Sequence, residues 1–121
     1  MKTVGLVEKI RIIGKKSVET FALFDSGARQ TSVDIKLAAK AQLGPIIRTT
    51  KIRNPGMKHV IRRPIVRAKI KILGKVFDTE VNIQDRSHMS FPVIIGRNIL
   101  TGNFVVDTEK NHNIYERMVK K

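Results

Sequence analysis

A repeated pattern of short β-strands constrains the fold of this chain more than any other feature of its sequence. In Lys9–Lys15, with the sequence KIRIIGK, apolar and charged residues nearly alternate before a Gly-Lys turn. Sixty residues later, Lys69–Lys75 (KIKILGK) matches this segment in kind at all seven positions. A β-favouring run follows each segment, at 18–24 and 76–83. Alternation with a period of two is typical of half-buried strands, so the sequence predicts a pseudo-symmetric all-β domain.

Two short helices interrupt the strand pattern. The segment 34–43 carries Ala and Leu at helical spacing, with Asp34 as its N-cap and Gly44-Pro45 as its stop. A shorter helix is predicted to begin near Arg97 and to end by Gly102.

The segment 51–60 predicts a long hairpin, because β-favouring residues flank Asn54-Pro55-Gly56 at its middle. Residues 104–107 predict a last strand, so we expect residues 1–108 to form the folded domain. Residues 109–121 are then a loosely held basic tail.

The composition is that of one globular domain. The chain has 121 residues, 41% of them apolar, which is enough for a single core. Glu8, Lys9 and Arg11 interrupt the amino-terminal segment, so it is neither a signal peptide nor a membrane span. The absence of cysteine excludes disulfides, thiol catalysis and thiolate metal sites. We therefore expect a cytoplasmic protein without a membrane partner.

Positive charge is concentrated in the middle of the chain. The formal net charge is +14, and no acidic residue lies between Asp34 and Asp78. That interval holds twelve basic residues, which together attract polyanions such as nucleic acid or an acidic peptide. Residues 35–76 lack the aromatic side chains on which RNA bases stack, so nucleic acid is not the favoured partner. A solvated basic face of the sheet is the alternative.

The segment Phe21–Val33 contains the first candidate for chemistry. An apolar strand runs into Asp25, which is followed by Ser26, Gly27 and Ala28. An acid at the end of a buried strand is costly unless its carboxylate is hydrogen-bonded or paired. Gly27 permits a sharp turn and the close approach of a substrate backbone. The alternative is that Asp25 only caps a turn, as Asp often does before Ser-Gly.

The segment Phe91–Leu100 (FPVIIGRNIL) predicts a strand that leads into a helix at Gly96, Arg97 and Asn98. Together with the Asp-Ser-Gly-Ala segment and the Gly-tipped hairpin between them, it resembles the retropepsins, the single-lobed aspartic proteases of retroviruses and their cellular relatives. The order and spacing of these features cover residues 4–107. The resemblance implies a dimeric protein whose single lobe is a retropepsin-like closed β-barrel with one or two short helices. It makes Gly96, Arg97 and Asn98 structural residues near the active site.

Three further segments resemble a bacterial and archaeal family more closely: Asp-Ser-Gly-Ala-Arg-Gln-Thr-Ser (25–32), Arg-Arg-Pro-Ile-Val (62–66) and Arg-Ser-His-Met-Ser-Phe-Pro (86–92). That family is labelled an ATP-dependent zinc protease and is associated with ATP-grasp ligases that add glutamates to proteins or cofactors. The label disagrees with this sequence, because its three histidines are scattered singly and it has no Gly-rich loop ending in Lys-Ser/Thr. We expect no metal and no cofactor.

The resemblance implies that Asp25 is the catalytic residue. Hydrolysis by this route needs one carboxylate that accepts a proton from water and another that protonates the carbonyl oxygen. The chain has a single Asp-Ser-Gly, so the second Asp25 has to come from another copy in a C2 homodimer. By resemblance, Ser26 would hydrogen-bond across the two-fold axis and Gly27 would accept a hydrogen bond from the substrate backbone. Residues 104–107 would contribute to the interface.

The hairpin 53–60 would be the flap that closes over the substrate, and its central residues are Asn54, Pro55, Gly56 and Met57. Viral retropepsins place an acid just after the Asp-Ser/Thr-Gly-Ala loop, where it pairs with the Arg of Gly-Arg-Asn, whereas this chain has Arg29. Basic residues around the cleft predict that it binds substrate carboxylates, and they are Arg29, Arg53, Lys58, Arg62 and Arg63. The alternative is a structural ion pair of Arg29 with Asp34 or Glu80.

The sequence therefore predicts a homodimeric aspartic endopeptidase that uses water as its nucleophile and acts on acidic, Glu-rich peptides. The alternative is a catalytically inactive binding module with a retropepsin fold, whose basic face holds RNA or an acidic partner. The intact Asp-Ser-Gly at 25–27 favours the enzyme.

Overall fold

The computed structural model describes residues 1–52, 56 and 60–110. In these residues the chain forms nine strands, which are β1 (Lys2–Val4), β2 (Val7–Ile13), β3 (Ser17–Phe24), β4 (Thr31–Asp34), β5 (Arg48–Ile52), β6 (Ile61–Ile72), β7 (Lys75–Gln84), β8 (Val93–Ile95) and β9 (Phe104–Val106). It also forms the helices α1 (Ile35–Ala41) and α2 (Arg97–Leu100). The predicted flap and substrate-binding residues Arg53, Asn54, Pro55, Met57 and Lys58, and the tail from residue 111 onward, lie outside the described residues.

Six of the strands close into a barrel. Strands β2, β3, β8, β4, β7 and β6 pair side by side in that order, and β6 pairs back onto β2. Strand β5 extends the sheet from the edge of β6. Closure removes the free strand edges that an open sheet would expose. The prediction of an all-β closed barrel with two short helices is confirmed.

The two repeated sequence segments meet where the barrel closes. Each forms a hairpin, β2 with β3 and β6 with β7. Strands β2 and β6 then pair antiparallel, so that Arg11 lies opposite its sequence equivalent Lys71, and Ile12 lies opposite Ile70. The predicted pseudo-symmetry is therefore a local two-fold relation between the hairpins.

Alternate residues of the strands fill the interior. In β6, Ile70 and Ile72 are fully buried, whereas Lys69 and Lys71 between and beside them are exposed. Strict alternation of this kind follows from the pleat, which points successive side chains to opposite faces. Several residues of the basic stretch therefore form an exposed face of the barrel.

Helix α1 begins where the sequence predicts and ends two residues earlier. Asp34 is its N-cap, and the side chain accepts a hydrogen bond from the main-chain N–H of Lys36 at 3.1 Å. Gln42 adopts the left-handed conformation with φ of 54°, so the helix ends at Ala41. The predicted end at Leu43 was wrong because the backbone of Gln42, and not Gly44-Pro45, stops the helix. Neither described helix has the length needed to cross a membrane.

The predicted last strand is β9, and it pairs in parallel with β1. Lys2 lies opposite Phe104 and Val4 lies opposite Val106. Phe104 is buried and packs edge-on against Phe24, with 6.2 Å between the ring centroids. This contact fixes the β1–β9 ribbon beside the end of β3.

Candidate active site

Asp25 lies where β3 ends beside β8. The two strands are parallel, with Phe24 opposite Ile95, and the main-chain N–H of Asp25 donates to the carbonyl of Ile95 at 2.9 Å. Gly96 and Arg97 follow Ile95 directly. The fold thus brings together the two motifs that the sequence analysis assigned to one site.

Residues 25–28 form a tight turn. The N–H of Ala28 donates to the carbonyl of Asp25 at 3.1 Å, and the N–H of Gly27 donates to Oδ1 of Asp25 at 2.9 Å. The turn-capping contact that the alternative interpretation expects is therefore present. The carboxylate of Asp25 can still accept further hydrogen bonds on both of its oxygens. Asp25 is half-buried, and Ser26 and Gly27 are exposed.

Gly96 lets the chain after β8 pass close behind this turn. A Cβ at position 96 would collide with the carbonyl of Gln30 and would lie 2.9 Å from the carbonyl oxygen of Ala28. The N–H of Gly96 donates to Oγ1 of Thr31 at 3.1 Å, and the Thr31 hydroxyl donates to Oδ1 of Asn98 at 2.8 Å. The sequence analysis missed Thr31, a fully buried hydroxyl whose only signal was its place directly after the loop.

Arg97 braces the turn from α2. Its Nη1 donates to the carbonyl of Ser26 at 3.0 Å, and its main-chain N–H donates to the carbonyl of Ala28 at 2.8 Å. Asn98 ties the same helix to β7, because its Nδ2 donates to the carbonyl of Glu80 at 3.0 Å. Arg97, which lacks the acidic partner of the viral pattern, thus uses a main-chain carbonyl instead.

Arg29 forms neither of the structural ion pairs that the sequence left open. Glu80 forms a salt bridge with Arg48, and the hydrogen bond from Arg48 lowers the pKa of Glu80 from its ordinary value. The carboxylate of Asp34 accepts main-chain hydrogen bonds, including one from Arg86 at 2.8 Å. The side chain of Arg29 is exposed next to the Asp25 turn.

The hairpin of β5 and β6 forms the base of the predicted flap. Ile52 lies opposite Ile61, and Gly56 lies in a turn with φ of +91°, a conformation that glycine adopts without strain. Of the basic residues predicted to bind substrate on this hairpin, Arg62 is exposed and Arg63 is half-buried. Burial lowers the pKa of Arg63 from its ordinary value.

Arg86 is a second residue to which the sequence analysis assigned no role, although it lies in the segment 86–92 that carries part of the resemblance. It belongs to the segment that joins β7 to β8 and is 5% exposed, and its Nε donates to the carbonyl of Phe91 at 3.0 Å. Burial lowers the pKa of Arg86, and the charge of Arg63 lowers it further, whereas Asp34 and Asp25 act in the opposite direction. This guanidinium therefore lies within electrostatic range of both Arg63 and Asp25.

A comparison with protein-family models establishes the family. Residues 28–117 match the RimB-like model, whose description is "Retropepsin-like aspartic endopeptidase RimB". The chain belongs to the RimB-like family. The match confirms the retropepsin part of the resemblance and does not confirm the zinc-protease label. Among residues 1–52, 56 and 60–110, no three His, Cys, Asp or Glu side chains are grouped to hold a metal ion.

Several solved structures share the RimB-like fold. The EIAV protease in complex with an inhibitor aligns with a TM-score of 0.63 at 20% identity, over 84% of this chain and 91% of the viral one. A protein of unknown function from Legionella pneumophila aligns with a TM-score of 0.62 at 23% identity, over 89% and 94%. The simian foamy virus protease gives 0.57 at 16% identity, over 76% and 88%. These alignments confirm the retropepsin-like barrel, and no curated protein matches the chain.

Proposed function

We propose that this RimB-like chain is a homodimeric aspartic endopeptidase in which the Asp25 carboxylates of two copies activate one water molecule. The observation that carries the proposal is the braced turn at Asp25. Gly27 donates to the carboxylate, Arg97 holds the carbonyl of Ser26, and Gly96 gives the turn its close support. Bracing of this kind keeps a carboxylate within the narrow geometry that proton transfer needs.

A second copy has to supply the other carboxylate. Asp85 and Asp107 are not followed by Ser-Gly-Ala, and neither lies in the turn that Gly96 and Arg97 support. Ser26 and Gly27 are exposed, so the Asp25 turn is open to a symmetry-related turn. Two such turns across a two-fold axis would bring the carboxylates together.

The two carboxylates would divide the chemistry between them. They share one proton, because two adjacent carboxylates cannot both ionise at close range. The ionised Asp25 takes a proton from water, whose oxygen attacks the carbonyl carbon of the peptide bond. The protonated Asp25 of the second copy gives its proton to the carbonyl oxygen, which produces a neutral tetrahedral diol. Asp25 then gives the proton that it took from water to the amide nitrogen, and one hydroxyl of the diol returns a proton to the Asp25 of the second copy. The C–N bond breaks, a carboxylic acid and an amine leave, and the two carboxylates again share one proton.

Charge supports an acidic substrate. The chain carries a net charge of +14, and Arg29 lies exposed beside the Asp25 turn. Arg62 and Arg63 lie at the base of the flap hairpin. Such a field attracts carboxylates over long range, and guanidiniums hold them through charge-assisted hydrogen bonds. The resemblance to proteins associated with glutamate-adding ligases points to Glu-rich peptides as the class.

The Asp25→Asn variant tests this proposal. Asn keeps the shape of the side chain and can accept the hydrogen bond from Gly27, but it cannot take up and return a proton. We expect hydrolysis of a Glu-rich peptide to fall at least about 100-fold. Asp78→Asn changes an exposed acid that pairs with Arg67, and this control should keep full activity.

Two outcomes would contradict the proposed mechanism. Undiminished turnover by a folded Asp25→Asn variant would remove Asp25 from the chemistry. Loss of activity on addition of a chelator, followed by recovery with zinc, would indicate a metallopeptidase, whereas the aspartic mechanism predicts an unchanged rate.

A further inference from the structure

Outside the Asp25 turn, the buried side chain of Arg86 is the feature that the proposed chemistry leaves unexplained. It is 5% exposed, and arginine is rarely buried without a counter-ion because removing its charge from water is costly. Within the described ranges, the only hydrogen bond of its side chain runs from Nε to the carbonyl of Phe91, and it has no salt bridge.

The main chain fixes the position of Arg86. Its N–H donates to Oδ1 of the buried Asp34 at 2.8 Å, and the N–H of Asp34 donates to the carbonyl of Pro92, also at 2.8 Å. The segment 85–92 is thus anchored at both ends to the carboxyl end of β4. These main-chain contacts fix the backbone of Arg86 and therefore the direction in which its side chain starts. They do not involve the two terminal NH₂ groups of the guanidinium.

The segment 85–92 is close to Asp25. Strand β8 has only three residues, and the carbonyl of its last residue, Ile95, accepts the N–H of Asp25. At about 3.3 Å per residue, the end of the segment is therefore on the order of 10 Å from the Asp25 turn. Because Nε is held at the carbonyl of Phe91, the guanidinium lies at this end of β8, at a distance from Asp25 that about three residues of an extended peptide would span. The influence of Asp25 and Arg63 on the pKa of Arg86, after that of burial, agrees with this placement.

We propose that Arg86 and Arg63 form a carboxylate-binding subsite on the order of 10 Å from Asp25, which selects a glutamate or aspartate side chain within about three residues of the scissile bond. Because Nε of Arg86 is bound to Phe91, its two terminal NH₂ groups remain to hold both oxygens of one carboxylate. Arg63 is half-buried on β6, two residues before Ile65, which lies opposite Asn82 of β7. Continued by two residues, this antiparallel register brings Arg63 level with Gln84, two residues before Arg86, and adds a second positive charge. The inference rests on the proposed endopeptidase function and adds a residue that determines its specificity.

If Arg86 served only to brace the segment 85–92, its position near Arg63 would have no explanation. To brace the segment 85–92, the chain needs only the main-chain N–H and Nε of this residue. It does not need two partly dehydrated guanidiniums, Arg86 and Arg63, within electrostatic range of each other. No acid in the described residues lies within salt-bridge distance of either one. Their mutual repulsion disfavours the empty site, and a bound anion would relieve it.

Paired peptides that differ only by Glu or Gln test this subsite. The exchange is made in turn at each of the three positions on either side of the scissile bond. For the wild-type protein we expect one position at which the Glu peptide has a kcat/KM about 10- to 100-fold higher. Arg86→Gln should remove most of that advantage and should change kcat/KM for the Gln peptide by less than about threefold.

Two further variants complete the set. Arg63→Gln lies on a different element and should show the same selective loss, so the test still stands if Arg86→Gln does not fold. Arg11→Gln, on the outer face of β2, is the matched control and should leave both peptides unaffected. Equal losses for the Glu and Gln peptides in folded variants would overturn the subsite and assign Arg86 a structural role.

Binding separates this inference from the proposed endopeptidase function. Calorimetric titration of the Asp25→Asn protein with the same peptides requires no turnover. Tighter binding of the Glu peptide, lost when Arg86→Gln is added, would support the subsite even if the wild-type protein cleaved nothing. Equal binding of the Glu and Gln peptides would overturn it, whatever the cleavage assays show.

Discussion

Single residues around the Asp25 turn contribute in different physical ways. Gly96 contributes space, because the carbonyls of Gln30 and Ala28 occupy the volume that a side chain would need. Arg97 orients the Asp25 turn, because its side chain donates a hydrogen bond to the carbonyl of Ser26 and keeps its positive charge. Asp25 contributes the carboxylate to which we assign the proton transfer. The proposed mechanism requires all three residues.

Gly96→Ala tests the close support of the turn. We expect a loss of about 1–3 kcal/mol in the free energy of unfolding, since the new methyl group has to displace two carbonyls. Peptidase activity should fall with it, because those carbonyls belong to the active-site segment. Denaturant unfolding and peptide hydrolysis measure the two effects.

Gly102→Ala is the control for Gly96→Ala. Its backbone has φ of +80°, and a Cβ there would meet nothing within 4 Å. We expect a strain cost of about 1–2 kcal/mol and full specific activity of the folded protein. Full activity of Gly96→Ala as well would show that the turn does not depend on this contact.

Sequence motifs identified the residues at the Asp25 turn that belong to continuous strings, and they missed those that only tertiary contacts bring near it. Asp25 and Gly96 stand in recognisable strings beside apolar runs. Arg86 stands between an Asp and a Ser, which is typical of an exposed turn. It is buried because the segment around it is anchored to Asp34, which lies fifty-two residues away. No local pattern carries that information.

At the scale of elements, the sequence predicted the two hairpins and the start of α1, but not the end of α1. Alternating residues in β2 and β6 indicated two similar hairpins, and the structure pairs their equivalent strands. The N-cap at Asp34 followed from residue type. The end of α1 did not, because Gln42 takes a left-handed conformation that its residue type does not favour.

Asp34 joins two elements, so its replacement should cost more than the loss of a cap. It caps α1 through Lys36 and anchors the segment 85–92 through the N–H of Arg86. We expect Asp34→Ala to lower the free energy of unfolding by about 2–4 kcal/mol, the sum of a lost cap and a buried N–H without an acceptor. Urea unfolding followed by circular dichroism provides the measurement.

Asp78→Ala is the matched control for Asp34→Ala. It removes an exposed salt bridge to Arg67, and such pairs contribute at most about 1 kcal/mol. If both variants lost stability equally, the anchoring role assigned to Asp34 would be wrong.

At the scale of the whole molecule, one chain contains one Asp25 turn and therefore half of the proposed dyad. In the described residues β1 and β9 each pair on a single edge, so strands of a second copy could extend this ribbon. That arrangement agrees with the interface role predicted for residues 104–107. The dimer stays a prediction, because the motifs within one chain specify its own barrel and only imply the partner.

A subunit-mixing experiment tests the shared dyad most directly. Wild-type and Asp25→Asn proteins are mixed in equal amounts, allowed to exchange subunits, and assayed against the same total concentration of wild-type protein. If each site needs Asp25 from both copies, random pairing leaves about one quarter of the dimers active, and the rate should fall to about one quarter. A rate of about one half, equal to the wild-type content, would mean that each chain acts alone and would contradict the account.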